Sequence, residues 1–349
     1  MSGPSVRRPV VVVLVVVALS GLVASLASAT APGHNGKLAF RRYLDPDHTW
    51  SALFTTNPDG SGVRQITHPP RRVLDIVPNW SPDGTKIVFQ RITLDGCGPA
   101  CESDEIYLVN GNGSSLKALA HDEGSKGCIQ HDRPAGGTCR GVPTWSPNGR
   151  LIAFECTTLT ADQTNPYLGR ICVMNADGSS VHQLPQTPST GVADSAPSWS
   201  PDGRRIAFQR TILGPRGSVM RDAVFVMNAY GGRPRRVTPW SLRAGQPDWS
   251  PNGRLLLFYS NWGGSMTVSA NLYTIGVDGS KLAQLTHARG GIRQHLGATF
   301  SPDGKWIAFS RTQNGGNADV FVMRETGTRV RNVTRSRTWD SGVDWGSRR

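Results

Sequence analysis

A segment built on Trp-Ser-Pro-Asp-Gly and a following apolar run returns along the whole chain, and a chain that repeats one supersecondary unit at a near-constant period has few folds open to it. The copies read PNWSPDGTKIVFQR from Pro78, PTWSPNGRLIAFEC from Pro143, PSWSPDGRRIAFQR from Pro197, PDWSPNGRLLLFYS from Pro247 and ATFSPDGKWIAFSR from Ala298. A further copy begins as VDWGS at Val343. Between the aromatics Trp80, Trp145, Trp199, Trp249, Phe300 and Trp345 the steps are 65, 54, 50, 51 and 45 residues.

Each copy predicts a tight β-hairpin. Proline presets φ in the turn, Asp or Asn tolerates the next position, and Gly supplies the positive φ that closes it. A second segment follows each copy: IYLVNGNGSSLKALA from Ile106, ICVMNADGSSVHQLP from Ile171, VFVMNAYGGRPRRVT from Val224, LYTIGVDGSKLAQLT from Leu272 and VFVMRETGTRVRNVT from Val320, with LFTTNPDGSGVRQIT from Leu53 ahead of the first. This is a second hairpin, so one period holds four strands, the content of a propeller blade. Asn35 to Phe40 supplies the second strand that the C-terminal copy lacks. The expectation is an all-β, six-bladed β-propeller closed by pairing the C-terminal strand with N-terminal strands, which removes open sheet edges.

The paired Trp-Ser-Pro-Asp-Gly-x-x-Ile-Ala-Phe and Val-Met-Asn-Ala-Asp-Gly segments resemble the TolB-type six-bladed propeller of WD40-like (PD40) repeats, from about Asn35 to Ser347. TolB carries an α/β domain ahead of its propeller, and only about thirty residues precede Asn35 here. The resemblance implies an envelope role and a protein partner there.

Met1 to Ala29 joins Arg7-Arg8, an apolar run from Val10 and the small residues Ala27-Ser28-Ala29, the pattern of a secretory signal peptide. The run is short for a membrane span. Residues 1–29 are therefore expected to be a signal peptide, cleaved or kept as an anchor, and residues 30–349 a single propeller domain in a secreted, periplasmic or envelope protein, with no transmembrane span after cleavage. The formal charge is +13, or +11 without Arg7 and Arg8, and only six of the 38 basic residues are Lys. No aromatic-basic interleaving of the kind that stacks bases is visible, which argues against nucleic acid. Attraction to an anionic wall polymer fits the charge. All six cysteines lie between Cys97 and Cys172. An even number in an exported chain points to disulfides, with near neighbours pairing as Cys97–Cys101, Cys128–Cys139 and Cys156–Cys172. No Cys and His spacing of a zinc site accompanies them.

Five residues before each ruler aromatic stand Asp75, Arg140, Asp194, Ala244, His295 and Asp340. Equivalent repeat positions form a ring, so these residues are the candidate site at the mouth of the channel. Asp75, Asp194 and Asp340 with Arg140 and His295 would contact a partner; the same groups, if they converged, could serve a metal or acid/base chemistry. The opposing reading is that each Asp caps the turn into its strand. The expectation is a non-enzymatic protein that needs no cofactor and binds a protein or peptide partner of the cell envelope. The alternative is a channel-based, metal-dependent or acid/base hydrolase or lyase acting on a glycan or small molecule. Peptidases on related propellers add an α/β-hydrolase domain with a Gly-x-Ser-x-Gly elbow, for which the chain has no room.

Overall fold

The computed structural model describes residues 31–94, 102–120, 138–159, 167–185, 191–214, 218–261, 269–288, 293–312 and 316–348. The expected signal peptide lies outside them. Each Trp-Ser-Pro-Asp-Gly copy folds as its residues dictate. Ser81 Oγ donates to Asp83 Oδ1 at 2.6 Å and accepts the Lys86 amide at 2.9 Å. The same two bonds recur at Ser146, Ser250 and Ser301, with Asn148 or Asn252 serving where Asp is absent. Both side chains offer the one acceptor the turn needs, which is why they exchange freely. Gly84 takes φ +68°, and a Cβ there would meet the Ser347 carbonyl oxygen at 2.1 Å.

The strands assemble as antiparallel meanders of four. They are β4 (Val73–Trp80) to β5 (Lys86–Leu94), β6 (Glu102–Asn110) and β7 (Lys117–Ala120); β8 (Thr138–Trp145) to β9 (Leu151–Leu159), β10 (Tyr167–Asn175) and β11 (His182–Gln183); and β12 (Val192–Trp199) to β13 (Arg205–Leu213), β14 (Val219–Asn228) and β15 (Arg235–Arg236). Next come β16 (Ala244–Trp249), β17 (Leu255–Ser260), β18 (Ser269–Gly276) and β19 (Ala283–Gln284), then β20 (Arg293–Phe300), β21 (Trp306–Thr312), β22 (Ala318–Arg324) and β23 (Arg331–Asn332). The last meander draws on both parts of the chain: β24 (Asp340–Arg348) pairs with β1 (His34–Tyr43), which continues to β2 (Ser51–Thr56) and β3 (Arg64–Gln65). Short parallel pairings, Ser51 with Leu74 and Ser269 with Arg293, join two of these meanders to their neighbours. No helix among the described residues is long and apolar enough to cross a membrane.

First strands of successive meanders touch in a closed circuit, β4 to β8, β12, β16, β20, β24 and back to β4. The described residues therefore form an all-β propeller of four-stranded blades around a central axis. Its apolar core lies in the seams between blades. In one seam Ala153, Ile171 and Val173 of one sheet pack against Trp199, Ile206 and Phe208 of the next. The second strands contribute Phe40, Phe89, Phe154, Phe208, Phe258 and Phe309, none more than 1% exposed.

The ruler aromatics fill the same seams. Trp249 is wholly buried, and its indole N–H donates to the Ser198 carbonyl of the preceding blade at 3.0 Å. Trp249→Ala is expected to cost about 3–5 kcal/mol by urea denaturation. Tyr230→Ala, at a residue 86% exposed, should stay within about 0.5 kcal/mol.

Candidate functional site

The six positions expected to ring the channel mouth all sit at the start of a first strand, and each faces a partner on the second strand of its own blade. Asp75 lies opposite Arg91, Arg140 opposite Cys156, Asp194 opposite Arg210, Ala244 opposite Ser260, His295 opposite Arg311 and Asp340 opposite Arg42. The three carboxylates are bound bidentately by these arginines. Arg91 donates to both oxygens of Asp75 at 2.6 and 2.8 Å, Arg210 to Asp194 at 2.7 and 2.7 Å, and Arg42 to Asp340 at 2.8 and 2.7 Å. All three are buried to 1% exposure or less. Burial pushes the Asp75 and Asp340 carboxyls up from the ordinary value, and the guanidinium hydrogen bonds pull them back. His295 is buried, lies on the Phe309 ring and donates from Nδ1 to the Ala270 carbonyl at 3.1 Å. The side chain of Arg140 is outside the described residues. The ring thus positions the carboxylates at equivalent heights, each directed at its own blade.

A third layer completes the pattern. The guanidinium of Arg91 lies 4.5 Å from the Tyr107 ring centroid, Arg210 lies 4.9 Å from Phe225, Arg42 lies 4.8 Å from Phe54 and Arg311 lies 4.4 Å from Phe321. Planar guanidinium accepts this arrangement because it can bind a carboxylate in its plane and an aromatic face above it. One blade replaces the whole set. Cys156 stands at the arginine position and Cys172 at the aromatic one, and they form a disulfide. The pairings Cys97–Cys101 and Cys128–Cys139 involve residues outside those described.

Two further columns of the repeat shape the channel. Three residues before each ruler aromatic, Val77, Val142, Ala196, Gln246, Gly297 and Gly342 all adopt positive φ between 51° and 77°. The ladder shifts register at each of them, so each first strand carries a β-bulge. Immediately before the aromatics stand Asn79, Thr144, Ser198, Asp248, Thr299 and Asp344, all buried. Where this residue has an acceptor of the right reach it clamps the next blade: Asp344 Oδ2 accepts the Trp80 amide at 2.7 Å, Asn79 Oδ1 the Trp145 amide at 2.8 Å and Asp248 Oδ2 the Phe300 amide at 2.8 Å. Asp344 Oδ2 also accepts from Asn79 Nδ2 at 2.9 Å. Burial, with the charge of Asp344 adding to it, pushes the Asp248 carboxyl well up. Reading the repeat for ligand-like residues passes over both columns, although six polar residues ahead of six aromatics were visible in the sequence.

At the opposite end of the ring a cleft of about 1070 Å³ opens beside the β24–β1 pair. Elsewhere each turn glycine faces the proline of the preceding turn, Gly149 on Pro82, Gly203 on Pro147, Gly253 on Pro201 and Gly304 on Pro251. β24 and β1 have no such turn between them. Ser347 Oγ donates to the Pro82 carbonyl at 2.5 Å and the Gly33 amide to the Pro302 carbonyl at 3.1 Å, and the corner stays open. Lys37, Arg64, Lys86, Arg331 and Arg348 line it with a single carboxylate, Asp59, all of them exposed. Asp59 is engaged by the amide and hydroxyl of Ser61. The cleft therefore presents net positive charge to a ligand. Among the described residues no group of three or more His, Cys, Asp or Glu side chains could hold a metal ion.

No family model matches the chain. Among curated proteins it is 23% identical over 195 residues to the uncharacterized protein Atu1656 of Agrobacterium fabrum, covering 56% of this chain and 58% of that one. It is 24% identical over 219 residues to the uncharacterized peptidase YuxL of Bacillus subtilis, covering 52% of this chain and 31% of the peptidase. With a TolB homolog of Chlorobium luteolum it shares 30% identity over 147 residues, 42% of this chain and 29% of the homolog. The chain thus spans well under two thirds of each relative. Among solved structures, TolB from Acinetobacter baumannii superposes with a TM-score of 0.64 at 17% identity, covering 90% of this chain and 67% of that one. A TolB-like protein of Agrobacterium tumefaciens gives 0.58 at 16% identity, covering 88% and 98%. The fold is that of a TolB-like propeller.

Asp194→Ala should cost about 3–5 kcal/mol because it leaves Arg210 buried without its counter-charge, whereas the double variant Asp194→Ala, Arg210→Met should cost less than the single one. Chemical denaturation of both measures the difference. Asp248 supplies a pH test. A carboxyl whose folded pKa is raised contributes its stability below the ordinary carboxylate pKa and loses it as pH rises through the folded value. Asp248→Asn, which keeps the acceptor for Phe300, should therefore raise the melting temperature at pH 8 and leave it unchanged at pH 4.

Proposed function

We propose that this chain is an exported six-bladed propeller with no chemistry of its own, which holds a protein or peptide partner of the cell envelope. The circuit of first strands, β4, β8, β12, β16, β20 and β24, taken one per blade, supports that blade number. Export rests on the basic, apolar and small-residue pattern of residues 1–29, and the Cys156–Cys172 disulfide suits an oxidising compartment. The resemblance to TolB supports an envelope partner.

The observation that carries the binding reading is the fate of Asp75, Asp194 and Asp340. A hydrolytic or metal site needs carboxylates that converge on a reacting atom. Here each is saturated by an arginine of its own blade, so these pairs brace the blades at the channel mouth. Exposed charge with few opposing acids is found instead in the basic cleft. Partner contact is assigned to that cleft, and the favoured partner segment is acidic, because five cations there meet one carboxylate that is already engaged.

The test is an envelope pull-down with the purified protein and with a charge-reversed variant, Lys37→Glu, Lys86→Glu and Arg331→Glu, whose folding is checked by its melting curve. The expected result is a protein captured by the parent and lost by the folded variant. Capture that survives in the variant would move the docking surface to the channel-mouth end. Turnover of a glycan or small molecule by the parent would replace the binding reading with the enzymatic one.

A further inference from the structure

One position of the second strand lies where it can bridge the seam to the next blade near the channel mouth. It is the residue that follows the buried phenylalanine of each second strand: Arg41, Gln90, Glu155, Gln209, Tyr259 and Ser310. Gln90 Oε1 accepts the amide of Val142, the bulge residue of the next blade, at 3.3 Å. Ser310 Oγ accepts the amide of Gly342, the bulge residue of its next blade, at 3.2 Å. In these two seams the second strand supplies an acceptor to the bulge beside it.

The seam between the β24–β1 blade and the β4 blade reverses this arrangement. Its residue is Arg41, which has donors only. Arg41 alternates along β1 with Ala39 and Tyr43, and those two residues pack on the β4 blade, Ala39 in a cluster with Trp80 and Tyr43 in one with Leu74, Ile76 and Val77. Arg41 therefore faces the same seam. The bulge residue there is Val77, at φ 51°, and among the described residues no side chain accepts from its amide.

The guanidinium is buried to 4% exposure. Its Nε and Nη2 both donate to one hydroxyl, Ser341 Oγ, at 3.2 and 2.5 Å, and among the described residues Nη1 has no hydrogen-bond partner. The neighbouring carboxylate, Asp340, gives both oxygens to Arg42. The Tyr43 ring centroid lies 4.5 Å from the guanidinium carbon, and its hydroxyl side favours the cation, but a neutral phenol is not a counter-charge. Burial holds the Arg41 guanidinium below its ordinary value, with Tyr43 acting in opposition. Among the described residues no carboxylate is paired with this enclosed positive charge, a state that costs several kcal/mol unless an anion enters.

We propose that Arg41 is the cationic wall of a buried anion site in this seam, which takes one small monovalent anion, a halide or a formate-sized carboxylate, as a structural ion tying the β24–β1 blade to the β4 blade. The anion accepts from Nη1 and supplies the seam with the acceptor that Gln90 and Ser310 supply elsewhere. Enclosure favours a small ion over a bulky polyanion, and one orphaned guanidinium nitrogen, Nη1, suits one charge.

The test follows the melting temperature of the purified protein in sodium chloride, bromide and formate against sodium gluconate, whose anion is too large for the site, at matched ionic strength. The expected result is a saturable rise of roughly 2–4 °C with the small anions. The rise is absent in Arg41→Gln, which installs the residue found at Gln90 and Gln209, and is retained in the exposed-site control Arg254→Gln. Formate acting alone assigns the site to carboxylates, and halides acting assign it to halides. Crystals of the parent protein grown in bromide provide the second measurement, with an anomalous peak expected within hydrogen-bond distance of Arg41 Nη1. An equal anion response in Arg41→Gln, a flat response in the parent, or water alone beside Nη1 in the bromide crystals would overturn the proposal.

Discussion

The ring exists because β24 and β1 pair. Hairpins within a blade join residues a few positions apart and form at little entropic cost, but the register His34 with Arg348 and Leu38 with Trp345 closes almost the whole chain. Loop-closure entropy grows only logarithmically with length, so one well-made contact suffices to offset it. That contact has three parts. Backbone pairing removes two open sheet edges. Asp344 reaches across to the Trp80 amide and to Asn79. The Arg42–Asp340 pair adds a charged bond between β1 and β24. Each part recurs in local form elsewhere in the ring, so closure uses the same chemistry as the blades themselves.

This economy explains what could be read in the sequence. The turn residues, the four-strand period and the shared position of Asp75, Arg140, Asp194, Ala244, His295 and Asp340 were all legible, because each is a column that repeats. Their role was less so, because a column read alone shows a carboxylate and hides its partner. The partner is sixteen residues downstream of Asp75 and Asp194 and almost three hundred upstream of Asp340, so only comparison of paired columns shows that Asp accompanies Arg. The bulges were hidden for another reason. Positive φ is announced by Gly297 and Gly342, but Val77, Val142, Ala196 and Gln246 adopt it too, held there by the tertiary structure against local preference.

The disulfide-bearing blade gives the pairing argument its strongest support. When the arginine column becomes Cys156, the aromatic column becomes Cys172 and the carboxylate column becomes Arg140, so all three layers change together. In the blade where the arginine column is Ser260, the carboxylate column is Ala244, and nothing charged is left alone. In these two blades the carboxylate and arginine columns change in concert, whereas the blade with His295 keeps its arginine, Arg311, and its aromatic, Phe321.

That rule also separates structure from function. Where a residue departs from its column and its neighbours do not compensate, packing within the blade does not account for it. Arg41 is such a departure, since neither Ser341 nor any carboxylate has changed to match it. The basic cleft is another: the corner between β24 and β1 lacks a turn, and the exposed Lys37, Lys86 and Arg348 gather there with no opposing set of acids among the lining residues beyond Asp59. In a repeat protein the period supplies an internal reference for each position, and binding sites are to be sought where a blade breaks the reference without repairing the break.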